Sequence, residues 1–145
     1  MPHFRFEPAK DFENFAQKMK KFIDEFPETF SFELGRGFEP RVDVLHDDQR
    51  VYVYVELAGV RKEDLSISYK DESVTVSGTR MPAYNPEEVV PTRVERAFGS
   101  FTRKVALPCD VKPDSVQARF NDGVLLVTFD KVKAAAPNEI KIDIQ

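Results

Sequence analysis

At Arg41 the apolar residues change their period. Upstream, Phe12, Phe15, Met19, Phe22, Ile23 and Phe26 recur at i, i+3, i+7, i+10, i+11 and i+14, one stripe of a 3.6-residue helix. Downstream the period is two. Residues 41–45 alternate, and residues 50–57 form a run rich in β-branched and aromatic side chains. Further runs fall at 65–69, 73–77, 101–107, 115–120 and 124–129. Turn signals separate them: Asp47-Asp48, Lys70-Asp71-Glu72 and Asn121-Asp122-Gly123, the last a strong hairpin signal because glycine supplies φ > 0. Seven short strands with turns every several residues predict an antiparallel β-sandwich.

The helical stripe lies in a Phe-rich arm. Nine of the 13 phenylalanines fall in the first 38 residues. Asp11 can cap the helix and Pro27 stops it, while Glu13, Gln17, Lys18, Lys20, Lys21 and Asp24 occupy the opposite face. Two readings stay open: the stripe packs on its own domain, or it is a sticky arm that meets other chains. Residues 79–93 hold Pro82, Pro86 and Pro91 and do not fit a core strand, because proline cannot donate to a ladder. They form a long excursion between two strands. At the far end, a Lys/Ala/Pro linker leads to Ile140, Ile142 and Ile144, spaced by two. Three such isoleucines at a polar terminus read as an extended peptide that seeks a groove. The expected division is an arm over 1–40, a sandwich over 41–132 and an extension over 133–145.

Charge and composition exclude several functions. Lys plus Arg is 21 and Asp plus Glu is 25, a net charge of −4, which argues against a nucleic-acid partner. The longest apolar run, Val51 to Val55, is too short for a membrane span, and no secretory signal is visible. Cys109 is alone, so a reducing, cytoplasmic compartment is expected. His3 and His46 are far apart and near no cysteine, and the glycines form no phosphate loop or nucleophile elbow. No enzyme, metal or cofactor is expected.

Four pieces of the chain, in order, resemble the small heat-shock protein (α-crystallin-related) family, of the bacterial and plant type. Residues 57–65, Leu-Ala-Gly-Val-Arg-Lys-Glu-Asp-Leu, are similar to its L-P-G-V-x-x-E-D-[IL] turn, with Ala58 where proline is usual. Residues 93–108 are similar to its E-R-x-[YF]-G-x-F-x-R-x-x-x-L-P segment. Residues 118–125 match its A-x-x-x-N-G-V-L signature, with Asp122 in place of Asn. Ile140-Lys-Ile142 sits where the family has its I-x-I tail. The resemblance implies an immunoglobulin-like sandwich and a loop that swaps a short strand into a neighbour's sheet to make a homodimer. It also implies a tail and arm that build larger homo-oligomers, and ATP-independent holding of unfolding client proteins. Within that frame Glu87, Val89, Val90 and Arg103 are expected at the dimer contact. Leu65, Ile67, Ala118 and Phe120 are expected to line a groove for the tail, with Ile140 and Ile142 in the family register and Ile144 a spare anchor. A p23-type (CS-domain) co-chaperone adaptor is the alternative on the same sandwich, but that class lacks an I-x-I end.

A holdase must bind unrelated apolar segments without precipitating. Adaptable Phe and Met side chains suit this, and an oligomer hides them until heating. The arm is therefore expected to contact clients, to build the assembly, or both. Arg103 is expected to pair with a carboxylate. Cys109, after Pro108 in a turn, reads as an inert lone cysteine, and His46 as a surface or edge residue.

Overall fold

The computed structural model describes residues 17, 38–133 and 142–145. The predicted arm helix, with Phe12, Phe15, Met19, Phe22, Ile23 and Phe26, lies outside them, as does Ile140.

Seven strands form two antiparallel sheets. They are β1 (Val42–His46), β2 (Arg50–Glu56), β3 (Leu65–Lys70), β4 (Ser73–Arg80), β5 (Gly99–Ala106), β6 (Gln117–Asn121) and β7 (Val124–Asp130). One sheet runs β1-β2-β7-β6 and the other β3-β4-β5. Alternation explains how they stack. Val51, Val53 and Val55 on β2, Leu125, Val127 and Phe129 on β7, and Val74 and Val76 on β4 are all buried in one core cluster. Tyr69 on β3 lies 5.3 Å, ring to ring, from Phe129, so β3 crosses the flank of the larger sheet that ends in β6. Phe101 on β5 meets Phe38, just ahead of β1, edge-on at 5.5 Å. Edges β3 and β6 therefore share one flank of the sandwich, and edges β5 and β1 share the other.

Two features are corrections to the sequence reading. The excursion starts later than Thr79, because Thr79 and Arg80 extend β4 and pair with Ser100 and Gly99. The 115–120 run starts with a 3-10 turn, Pro113–Ser115, and only then becomes β6. The β3–β4 hairpin turns through Asp71 and Glu72, both at positive φ (51° and 61°), the geometry that matches strand twist. The β6–β7 hairpin does the same with Asp122 and Gly123. Gly78 answers a different need: a Cβ there would collide with the carbonyl oxygen of Asp64 and stand 2.9 Å from the Phe101 ring. The close approach of the Lys62–Asp64 turn to β4 requires a residue with no side chain.

Candidate interaction surfaces

The β3/β6 flank is an apolar mouth. Register fixes which residues face it. Ala118 pairs with buried Val127, and Phe120 with buried Leu125, so both point to the core side. Ile67 pairs with buried Val76, and Leu65 with Gly78, on the same side of β3. Leu65, Ile67 and Phe120 are half-buried against the core, Ala118 is exposed, and neighbouring Val116 is 41% exposed. The four residues named from sequence thus sit on the inward faces of two facing edge strands. In the tail, Ile142 is 86% and Ile144 98% exposed.

The β5/β1 flank carries the root of the arm. Arg103, on the inward side of β5 opposite Val76, reaches the carboxylate of Glu39 at 2.8 Å. The carboxylate expected for Arg103 is therefore found within the same chain. With Glu39 mostly exposed, this ion pair fixes direction more than it adds stability. Arg80 does more. Its guanidinium sits 3.7 Å over the Phe38 ring, and its Nε donates to the carbonyl of Ala97 at 2.7 Å. Burial and neighbouring Arg96 both lower its pKa. Arg80 thereby ties the arm root to the end of the 81–98 loop.

That loop is anchored at Pro82, Pro86, Val94 and Phe98, which are buried. Between the anchors it bends back on itself. The Glu87 N–H donates to the Asn85 side-chain oxygen at 3.0 Å, and the Glu88 N–H to the Asn85 carbonyl at 3.1 Å. Val89 and Val90 follow this turn, 41% and 76% exposed.

Edge strand β1 is exposed at Asp43 through His46, with Val44 and Leu45 at 37% and 53%. Its hairpin to β2 is held by Asp47. One carboxylate oxygen accepts the N–H groups of Gln49 and Arg50, and the other the hydroxyl of Tyr52, each at 2.7 Å. These bonds, Tyr52 first, hold the carboxyl at about 2, and they raise the Tyr52 phenol in turn. The sequence signal was the Asp two residues before Gln49, a side chain suited to an Asx-type turn. His46 Nδ1 lies 2.9 Å from Lys131 Nζ, and because an ammonium only donates, Nδ1 is the acceptor. Cys109 is half-buried. Among the described residues no group of three or more His, Cys, Asp or Glu side chains could hold a metal ion, and no helix is long and apolar enough to cross a membrane.

Set beside known proteins, residues 43–145 match the family model described as the Hsp20/alpha crystallin family. Heat shock protein 16 of Schizosaccharomyces pombe is 32% identical over 136 residues, 91% of this chain and 90% of that protein. The 17.8 kDa class I heat shock protein of Arabidopsis thaliana is 36% identical, over 77% of this chain and 71% of its own. Among solved structures, heat shock protein 16.0 from Schizosaccharomyces pombe superposes with a TM-score of 0.60 at 34% identity, covering 73% of this chain and 99% of that one. A small heat-shock protein from Xylella fastidiosa, described as having a distinct high order structure, gives 0.61 at 28%, over 74% and 98%.

Proposed function

The chain belongs to the Hsp20/alpha crystallin family of heat-shock proteins, whose role is that of chaperones under stress, and we propose that it is an ATP-independent holdase. It binds unfolding client proteins and keeps them from aggregating, without catalysing a reaction, in the cytoplasm. The carrying observation is the apolar mouth between β3 and β6 together with isoleucines that stand almost fully exposed in the tail. An apolar edge and an apolar extended peptide in one chain fit each other between subunits. Residues 1–40 act as the arm, 41–132 as the sandwich and 133–145 as the extension.

The assembly follows from the edges. An edge strand with exposed apolar residues and no proline is a template for another chain. β1 is such an edge, and the 81–98 loop offers Val89 and Val90 as the strand that covers it in a partner, giving a homodimer whose contact includes Arg103. The tail then joins dimers by seating Ile140 and Ile142 against Leu65, Ile67, Ala118 and Phe120. The co-chaperone adaptor is not favoured, since the relatives are themselves heat-shock proteins. The test is native mass by sedimentation together with suppression of client aggregation in the absence of nucleotide. A large oligomer that protects clients is expected, and a monomer that leaves them to precipitate would remove the reading.

A further inference from the structure

The two solvent-facing sides of the sandwich differ in chemistry. On β3-β4-β5 the outward positions include Ser66, Ser68, Thr75, Ser77, Ser100 and Thr102, paired row by row across the sheet. On β1-β2-β7-β6 the same alternation brings an apolar and aromatic strip outward across the middle of the face, with Asp43, Arg50, Asp130, Gln117, Arg119 and Asn121 around it. Leu45 pairs with Tyr52, Tyr54 with Leu126, and Glu56 with Val124. Leu45 is 53% exposed and Tyr54 37%, with Tyr52, Val124 and Leu126 half-buried beside them. A sandwich needs no aromatic residues on a face that only meets water.

The chain outside the described residues supplies an occupant. Thirty-seven residues precede Phe38, and they enter the structure four positions ahead of β1, the edge of this aromatic sheet. The stripe from Phe12 to Phe26 would be about 22 Å long as a helix, enough to cross a four-stranded face about 14 Å wide. Residues 27–37 reach any point of that face, since an extended chain of this length spans about 35 Å.

The geometry points to the outer face of β1-β2-β7-β6, centred on Tyr54 and Leu126, as the dock for the arm's Phe12–Phe26 stripe. The inference deepens the holdase reading and rests on it: docked, the stripe is stored, and undocked, it is free for clients. The hydroxyl-bearing face stays in water.

The test uses the full chain in a Cys109→Ser background. Reporter cysteines are placed on the aromatic face (Arg119→Cys and, separately, Tyr54→Cys) and on the hydroxyl face (Thr75→Cys). Thiol labelling rates are normalised to each protein unfolded in urea. Both aromatic-face reporters should react about tenfold slower than Thr75→Cys, the ratio for an opening that costs about 1.4 kcal/mol. Adding Phe15→Asp with Phe22→Asp should abolish that protection. Reporters that react as fast as Thr75→Cys in the parent overturn the dock. Protection that survives the two aspartates assigns the face to a second sheet and also overturns it. Client protection measured on the parent separates the two readings: a free face with clients still protected removes the dock alone, and unprotected clients remove the holdase.

Discussion

Removing the Arg80 side chain should loosen the arm root and the end of the 81–98 loop at once. Its guanidinium over Phe38 is partly desolvated, and such a contact contributes about 1–2 kcal/mol. The 2.7 Å bond to the Ala97 carbonyl is charge-assisted and worth about 1.5–3 kcal/mol. The contact with the Ala58 carbonyl, at 3.4 Å, is too long to count for much. These effects share one side chain and do not simply add, so Arg80→Ala should cost about 2–4 kcal/mol. For a sandwich of this size that is a fall in Tm of roughly 10–25 °C. Arg80→Lys keeps the charge but loses the planar fork, and should recover only part of the loss. Thermal unfolding by circular dichroism measures both. A double-mutant cycle with Phe38→Ala should give a coupling near 1 kcal/mol. A Tm unchanged in Arg80→Ala, or strict additivity with Phe38→Ala, would refute the tie between arm root and loop.

Asp47 is held at about 2 against an ordinary 3.8, so its contribution is full above about pH 4 and lost as pH falls through about 2. Asp47→Asn should flatten that part of a Tm-against-pH curve, and an unchanged acid limb would contradict the assignment. Gly78→Ala should cost about 1–3 kcal/mol, because the new methyl meets the Asp64 carbonyl and the buried Phe101 ring; a urea midpoint equal to the parent's would count against the close approach. Deleting residues 82–91 should leave a folded monomer, and a full oligomer by sedimentation would exclude the swapped strand. Ile140→Ala with Ile142→Ala should reduce large oligomers to dimers with unchanged β-sheet circular dichroism, and sedimentation at the parent rate would show that the tail does not hold them.

The sandwich was readable because β2, β4, β5 and β7 each bury one face. Val51, Val53 and Val55 against Tyr52 and Tyr54 is a pattern with one solution, and the hairpin turns mark where it reverses. Strand ends were less readable. Thr79 and Arg80 look like the start of a proline-rich loop, and only the pairing with Gly99 and Ser100 makes them strand. The resemblance named Leu65, Ile67, Ala118 and Phe120 as a set, but that they lie on the inward sides of β3 and β6 needed the register, since a slip of one residue inverts every side chain. Arg80 and Glu39 were missed for a simple reason. Their partners, Phe38, Ala97 and Arg103, are 17 to 64 positions away in sequence, and no local pattern reports contacts made by folding.

The tail's energetics fit an assembly that opens with heat. Ile142 is 86% exposed, so nearly its full burial term remains to be gained in a groove. Two isoleucines contribute roughly 3–6 kcal/mol at about 1.5–3 kcal/mol each. Ordering the tail costs about 1–2 kcal/mol for each residue fixed, which consumes most of that gain when three or four residues become rigid. One tail in one groove is therefore weak and exchanges readily. A closed assembly makes many such contacts at high effective concentration, so it is stable as a whole while each contact stays labile. In the proposed assembly every contact must beat the entropy of an ordered tail, and because that term grows with temperature, warming is expected to loosen tails before it unfolds the sandwich. The Val, Leu and Phe core of the sandwich is buried and has no such weakness.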